Sequence, residues 1–271
     1  MKLRHSYIYI ALLAVAIFLT SCSKFNRIQK SGDMNLKYNA AIKYYENKKY
    51  YQALQLLEEL IVVFKGTDKA ENAYYYYCLS YFYTGDYTSA AYHFNNFAQT
   101  FPLSTRAEEA SFYNAYCYYL DSSPSSLDQE SSYDAIKQFQ LFINRFPQST
   151  RIAECNKLID ELRAKLEVKA YDIAKLYYKT EEYKSAIVAL GNVIKDFPAT
   201  KYQEECLFLM LKSAYLYAGN SIDTKKEERY KATLEHYSKL AETFPTSEYL
   251  KEAGRIKAQC EDRLKQLATI N

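Results

Sequence analysis

Cys22 is the residue whose type and position point most directly to chemistry. It follows Leu19–Ser21, at the end of an almost wholly apolar run from Ile8 to Leu19. A thiol at such a junction can form a thioether with a diacylglycerol, and the attached acyl chains bury many CH₂ groups in a membrane leaflet. We therefore predict that residues 1–21 are a lipoprotein signal peptide and that Cys22 is lipidated.

The apolar run is shorter than the roughly 20 residues that span a bilayer, which favours a cleaved signal. An uncleaved anchor and a chance match are the alternatives. The junction is similar to that of bacterial lipoproteins, and Ser23 stands where aspartate would indicate retention in the inner membrane. The segment Ser23–Arg27 also lacks an acidic cluster of the kind that directs some lipoproteins to the cell surface. We expect residues 22–33 to be a lipidated tether on the periplasmic face of the outer membrane.

The other potentially reactive residues indicate packing rather than catalysis. Five further cysteines form an odd set and align with small residues in a repeated pattern, which predicts free thiols. These are Cys78, Cys117, Cys155, Cys206 and Cys260. His93 and His236 share one repeat position, beside aromatic residues. Since CxxC pairs, P-loops and nucleophile motifs are missing, we predict no catalytic residue, no metal, no cofactor and no enzyme activity.

Charge excludes one further class of partner. The formal net charge is +3, with acidic and basic residues interleaved along the chain. Nucleic-acid binding requires a basic stripe, so we predict no nucleic-acid partner. An enzyme built on a helical-repeat scaffold remains an alternative, and catalytic turnover lost with one polar substitution would identify it.

A repeat anchored on phenylalanine predicts the elements that hold these residues. The anchors lie 37, 45, 51 and 47 residues apart, and all but the first precede a proline. They are Phe64, Phe101, Phe146, Phe197 and Phe244. Small residues recur where paired helices would cross closely. These are Ala41, Cys78, Ala115 and Ala174, with Leu211 in the fifth copy, and then Ala53, Ala90, Ala135, Ala186 and Thr233. The period predicts an all-α, TPR-type αα-superhelix of about five repeats.

Insertions divide the predicted superhelix. Helical periodicity without Pro or Gly predicts one long helix from Thr150 to Thr180, between repeats three and four. The predicted N-terminal lobe is 34–149, with repeats 1–3, and the C-terminal lobe is 150–271, with repeats 4–5 and a capping helix. That helix carries Arg255 and Asp262 where earlier repeats carry aromatic residues. We also predict exposed loops at Asp121–Ser132 and Asn220–Arg229, and helix caps at Ser104, Ser149 and Thr246.

Aromatic residues form two columns in the first helix of each repeat. The first column is Tyr38, Tyr75, Phe112, Tyr171 and Phe208. The second column, seven residues further on, is Tyr45, Phe82, Tyr119, Tyr178 and Tyr215. This spacing places side chains on one helix face, so the members in repeats 1–3 are predicted to line a peptide-binding groove. The alternative is that the rings only pack helix against helix, as expected of Tyr44, Tyr81, Tyr118 and Tyr177.

The same segments carry a resemblance to a known family. They include Lys30-Ser31-Gly32-Asp33, Tyr44-Tyr45, Ala186-Ile187, Asp196-Phe197-Pro198-Ala199-Thr200 and Ala214-Tyr215. Together with Cys22 they resemble the BamD family, the TPR lipoprotein of the outer-membrane β-barrel assembly machine. The resemblance implies a non-catalytic protein whose C-terminal lobe docks on a POTRA domain of the barrel-forming subunit. It also implies an N-terminal lobe that receives the C-terminal signal of unfolded outer-membrane proteins, which ends in an aromatic residue. A generic TPR lipoprotein adaptor for peptidoglycan or cell-division proteins is the alternative.

Overall fold

The described part of the protein is entirely helical. The computed structural model describes residues 24–270, so Cys22 and the predicted signal segment 1–21 lie outside it. Every regular element in this part is a helix, which confirms the all-α prediction. The helices are α1 (residues 24–29), α2 (Met34–Glu46), α3 (Tyr50–Val63), α4 (Ala70–Thr84), α5 (Tyr87–Thr100), α6 (Ala107–Asp121), α7 (Glu130–Arg145), α8 (Ile152–Lys179), α9 (Tyr183–Asp196), α10 (Gln203–Gly219), α11 (Asp223–Thr243) and α12 (Leu250–Ile270). None of the helices between residues 24 and 270 is long and apolar enough to cross a membrane.

The chain forms two compact units, and the boundary between them along the sequence falls within α8. The described part of the first unit comprises residues 24–123 and 129–159, and that of the second comprises Pro124–Asp128 and residues 160–270. In the first unit each helix from α2 to α6 packs against the next helix in the chain, and in the second unit each helix from α9 to α11 does the same. Consecutive helices therefore bury one another's apolar faces, as expected of stacked helix pairs.

Small residues at the predicted crossings explain this close packing. All ten predicted crossing residues are completely buried, including Thr233 and the larger Leu211. An alanine at a crossing lets two backbones approach without a void or a clash. A bulkier side chain at Ala90 or Ala186 would have to displace its neighbours, at about 1–3 kcal/mol for overpacking.

The phenylalanine anchors end every second helix. Phe64, Phe101, Phe146, Phe197 and Phe244 are the C-cap residues of α3, α5, α7, α9 and α11. A following proline cannot continue the helix, since it lacks an N–H group and clashes with the preceding turn. Helix starts are also specified locally: the Asp33 carboxylate accepts the N–H groups of Asn35 and Leu36, and that of Asp86 accepts the N–H of Ser89.

The predicted long helix is confirmed. Helix α8 runs from Ile152 to Lys179, 28 residues, which corresponds to about 42 Å at 1.5 Å per residue. It contains neither proline nor glycine. The helix ends at Lys179, and Glu181, two residues later, has a φ of 64°.

Two predicted loops require correction. Asn220–Arg229 was predicted to be a loop, yet α11 begins at Asp223. Ion pairs one turn apart stabilise its first turns, among them Lys225 with Glu228 at 2.8 Å and Lys226 with Asp223 at 2.8 Å. The density of charge that suggested a loop is therefore a solvated helix face.

The serine-rich loop is shorter and less exposed than predicted. Only residues 122–129 lie outside a helix. Gln129 and Ser132 are buried, and hydrogen bonds satisfy their polar groups. The Ser132 hydroxyl donates to Gln129 Oε1 at 2.7 Å, and Gln129 Nε2 donates to the Ser123 carbonyl oxygen. Tyr177, expected in the core, is 40% exposed.

Candidate functional site

The first aromatic column lies between repeats, and each ring is covered by the following repeat. The covering residue always comes five positions after a phenylalanine anchor. In the first unit it is a cation, with Lys69 Nζ 5.6 Å from the Tyr38 centroid, Arg106 Cζ 4.7 Å from that of Tyr75 and Arg151 Cζ 4.3 Å from that of Phe112. In the second unit it is a ring, with Tyr202 stacked on Tyr171 at 4.0 Å and Tyr249 on Phe208 at 4.4 Å. Cation–π and stacking contacts thus clamp successive repeats together.

The hydroxyl groups of this column also bond to the next repeat. Asn72 Nδ2 donates to Tyr38 Oη at 2.5 Å, and Tyr75 Oη donates to Glu109 Oε2 at 2.5 Å. Burial and then the Glu109 carboxylate raise the pKa of Tyr75, so its hydroxyl stays protonated and donates. In the second unit, burial and then Glu205 raise the pKa of Tyr171 to about 12.

A third repeated contact supports the same junction. Ser or Thr three residues after the anchor accepts the backbone N–H of the covering residue, as Ser104 does from Arg106 at 3.0 Å. Three of these hydroxyls also donate to a glutamate on the preceding first helix. The pairs are Ser104 with Glu71 at 2.8 Å, Ser149 with Glu108 at 2.6 Å and Thr200 with Glu167 at 2.6 Å. At the last repeat boundary Ser247, rather than the predicted Thr246, accepts this N–H bond, because it holds the third position. The helix cap predicted at Ser104 is also wrong, since the N-cap residue of α6 is Arg106.

These contacts locate the first-column members of the predicted groove. Tyr75 and Phe112 are only 7% and 3% exposed, and Tyr38 is half-buried. The ring faces of Tyr75 and Phe112 lie against Arg106 and Arg151. Their predicted contact with a peptide stays a prediction, and in this arrangement it would require the guanidinium groups to move aside.

The second column lies nearer the surface. Tyr45, Phe82 and Tyr119 of the first unit are all half-buried, as are Tyr178 and Tyr215 of the second. Each of the first three contacts further rings. We call the resulting set the aromatic strip; it comprises Tyr45, Tyr50, Tyr76, Phe82, Tyr83, Tyr113, Tyr116 and Tyr119.

The aromatic strip is continuous from α2 to α6. Tyr45 meets Tyr76 edge-on at 4.8 Å, and Tyr50 stacks on Tyr83 at 4.9 Å with an interplanar angle of 18°. Phe82 then contacts Tyr83 at 5.3 Å. From Phe82 the strip continues to Tyr113 at 4.9 Å and to Tyr116 at 6.3 Å, and Tyr116 stacks on Tyr119 at 5.7 Å. The strip therefore connects three of the predicted groove residues across repeats 1–3.

Tyr83 is the most exposed ring of the strip, at 47%. Tyr83 belongs to neither predicted column. It does, however, lie seven residues after Tyr76, and the same spacing of seven residues relates the two columns. Burial, followed by neighbouring tyrosines, raises the pKa of Tyr45, so its hydroxyl stays neutral at physiological pH. The strip thus offers apolar ring faces beside phenolic hydroxyls, a surface suited to aromatic and backbone groups of a peptide.

The second unit has no comparable strip among its described residues. The ring centroids of Tyr178 and Tyr183 are 6.4 Å apart, and Lys212 Nζ lies 5.9 Å from the centroid of the Tyr178 ring. Tyr215 lies 6.2 Å from Tyr230. The two units therefore present different surfaces at equivalent sequence positions.

Histidine and cysteine residues belong to the interior. His93 stacks on Tyr81 at 5.1 Å, and burial lowers its pKa, as it does that of His236. The five described cysteines are buried and free, as predicted. Burial raises the pKa of Cys155 and of Cys260 to about 11. Over residues 24–270, no group of three or more His, Cys, Asp or Glu side chains is arranged to hold a metal ion.

Sequence comparisons with two known proteins point to one family. The chain is 24% identical over 247 residues to the outer membrane protein assembly factor BamD of Rickettsia prowazekii, covering 91% of this chain and 94% of the relative. It is 24% identical over 222 residues to BamD of Pasteurella multocida, covering 78% and 84%. A solved structure, the TPR2AB domain of yeast Sti1 in complex with pHSP90, matches with a TM-score of 0.38 and 10% identity, covering 84% of this chain and 98% of that one.

A family model also matches most of the chain. The family described as "YfiO: Outer membrane lipoprotein" matches residues 30–230. That range contains both aromatic columns, the long helix α8 and four of the five clamped rings with their covering residues. Since the match spans well over half of the chain, the chain belongs to the YfiO family of outer membrane lipoproteins.

Proposed function

We propose that this chain is a non-catalytic scaffold and substrate receptor in the assembly of β-barrel proteins into the outer membrane. The relatives are named as outer membrane protein assembly factors, which supports the process. The observation that carries the receptor role is the continuous aromatic strip of the first unit. Exposed tyrosine rings bind peptide side chains at small conformational cost, because tyrosine has few rotatable bonds.

We assign the receptor surface to the second column and its neighbours. The first-column rings clamp repeats together, whereas Tyr45, Phe82 and Tyr119 lie in a strip that retains accessible surface. The ligand would be the C-terminal segment of an unfolded barrel protein, ending in an aromatic residue. Its terminal ring would stack on the strip, and its backbone would accept hydrogen bonds from the neutral tyrosine hydroxyls.

The architecture is proposed to be five TPR-type repeats with α8 between repeats three and four and α12 as the cap. Its support is the recurrence of one clamp five times and the exposure of Arg255 and Asp262 on α12. The lobe 34–149 would receive substrate. The lobe 150–271 would dock on a POTRA domain of the barrel-forming subunit, and the difference between the two units supports separate partners.

Membrane attachment is proposed to depend on the lipid at Cys22. The mature protein would start at this residue, on the periplasmic face of the outer membrane. Substituting Cys22→Ala should move the protein from the outer-membrane fraction into the soluble periplasmic fraction. Unchanged fractionation would exclude the lipid anchor.

Peptide binding tests the receptor role. Calorimetry on the mature chain should show tighter binding of a peptide ending in phenylalanine than of the same peptide ending in alanine. Substituting Tyr83→Ala with Tyr116→Ala should weaken this binding on the order of 10- to 100-fold, since each aromatic pair contributes roughly 0.5–1.5 kcal/mol beyond the burial of its area.

A matched control uses exposed tyrosines outside the strip. Tyr51 and Tyr92 are at least as exposed as Tyr83 and do not belong to the strip, so substituting both by alanine should leave affinity unchanged. Equal losses in the two double variants, or indifference to the terminal phenylalanine, would exclude the strip as a receptor. Co-purification with peptidoglycan or division proteins in place of a barrel protein would instead indicate a generic adaptor.

A further inference from the structure

Basic charge is concentrated at the N-terminal edge of the first unit. Residues 24–49 contain seven Lys and Arg against two Asp and Glu, a net charge of +5. Residues 50–271 contain 26 Lys and Arg against 30 Asp and Glu, a net charge of −4. The small net charge of the whole chain therefore results from two segments of opposite charge. The positive segment begins two residues after Cys22.

Most of these cations have no anionic partner within the described part of the chain. Lys37 is the exception, since it is buried and its Nζ lies 2.5 Å from Glu59 Oε2. The other six are exposed and form no ion pair within residues 24–270. They are Lys24, Arg27, Lys30, Lys43, Lys48 and Lys49.

Three of the six line one cleft. The cleft has a volume of about 300 Å³ and lies between α1 and α2. Lys24, Lys43 and Lys49 supply its charge, and Ile28, Ala40 and Tyr44 supply apolar walls, with Asn47 completing the lining. A basic rim over an apolar wall matches a group that carries an anion next to hydrocarbon.

Helix α1 is held in place, so the cleft is a fixed feature of the first unit. The Phe25 ring meets the Tyr44 ring edge-on at 5.5 Å. Phe25 and Ile28 also pack against the hydrophobic core formed by α2, α3 and α4. Lys24 is therefore positioned against Lys43 and Lys49 by packing, two residues after Cys22 in the sequence.

We propose that this basic cleft and its flanking cations bind the headgroups of anionic phospholipids, as a second membrane contact beside the lipid anchor. Basic segments beside a membrane anchor are attracted to anionic headgroups by about 1 kcal/mol per Lys or Arg near the surface. The orientation of the contact toward the membrane rests on the proposed lipidation of Cys22. Binding of the headgroup rests only on the cleft.

The test uses the mature chain, residues 22–271 with Cys22→Ser, which carries no lipid. It should sediment with vesicles of phosphatidylcholine and phosphatidylglycerol in equal parts, and far less with vesicles of phosphatidylcholine alone. Each lysine near an anionic surface strengthens partition about fivefold. Substituting Lys24, Lys43 and Lys49 by glutamine should therefore weaken partition on the order of 100-fold. Raising salt to about 1 M, where the Debye length is roughly 3 Å, should weaken wild-type partition similarly.

Two matched variants distinguish binding in the cleft from a general effect of the net charge of the protein. Replacing the three cleft lysines by arginine should preserve partition. Replacing Lys137, Lys239 and Lys251 by glutamine removes the same charge at exposed positions elsewhere and should change partition little. Equal loss in the two glutamine variants, or equal binding of the wild type to both kinds of vesicle, would overturn the proposal. So would displacement by millimolar inorganic phosphate at constant ionic strength, since the site would then recognise free phosphate. The assay uses no peptide, and the protein in it carries no acyl chain, so its failure would leave the receptor and the lipid anchor untouched.

Discussion

Removing the Arg106 side chain should weaken the junction between repeats two and three. The guanidinium carbon lies 4.7 Å from the centroid of Tyr75, and Nη1 donates to Asn72 Oδ1 at 2.8 Å. Both partners lie on α4, whereas Arg106 is the N-cap residue of α6. A partly exposed cation–π contact contributes about 1 kcal/mol, and a partly exposed charged hydrogen bond adds about as much.

We therefore expect Arg106→Ala to destabilise the first unit by about 2 kcal/mol. For a unit of this size that corresponds to a melting temperature lower by roughly 5–10 °C. Because the two units need not unfold together, hydrogen exchange of the amides in α5 and α6, followed by mass spectrometry, is the appropriate measurement.

A double-mutant cycle isolates the ring contact. Combining Arg106→Ala with Tyr75→Leu should give a coupling energy of about 1 kcal/mol. The control cycle combines Tyr75→Leu with Lys137→Ala, a change at an exposed position, and should be additive. A coupling below about 0.3 kcal/mol between Arg106 and Tyr75 would lie within ordinary additivity and would refute the clamp.

Three further predictions concern single groups. Since burial lowers the pKa of His93 more than Asp86 raises it, the unfolded chain binds more protons below about pH 6.5, and stability should fall as the pH drops from 7 to 5. The His93→Phe variant should lose less unfolding free energy than the wild type between pH 7 and pH 5 in the first unit. An unchanged dependence of this free energy on pH would contradict the prediction. Gly85 has a φ of 82° with open space around it, so Gly85→Ala should lower unfolding free energy by about 1 kcal/mol, whereas Gly32→Ala should be neutral in the same urea titration. The five buried thiols should react with an aromatic disulfide reagent only after unfolding in urea, and rapid reaction of the native protein would show that they are accessible.

The spacing of small residues and anchors was enough to place the helices. Where two helices cross closely, only a few side chains fit between the backbones. All ten residues predicted at such crossings are indeed buried. Proline after the anchor specifies a helix end by local chemistry alone. The start of α11 was missed because Asp223, Lys225 and Lys226 are equally common in loops and on solvated helix faces. Only their pairing one turn apart distinguishes the two.

The spacing of the aromatic residues does not predict which of the two columns is covered by the next repeat. Both columns have the same residue types on one face of the first helix, yet one is covered and the other is not. Whether a ring is covered depends on the residue five places after the anchor that ends its own repeat, at the start of the next repeat, such as Arg106 for Tyr75 or Tyr202 for Tyr171. That pairing is produced by tertiary stacking, and the sequence offers no local signal for it.

If the aromatic strip receives unfolded barrel proteins, site-specific photocrosslinking in cells should capture them there. A photoreactive phenylalanine would replace Tyr83 in the strip or, as the control, Tyr92, which is 62% exposed outside it. We expect adducts with unfolded outer-membrane barrel proteins from position 83, few from position 92, and a marked reduction when the terminal aromatic residue of the substrate is removed. Equal adducts from both positions, or adducts indifferent to the terminal residue, would contradict this expectation.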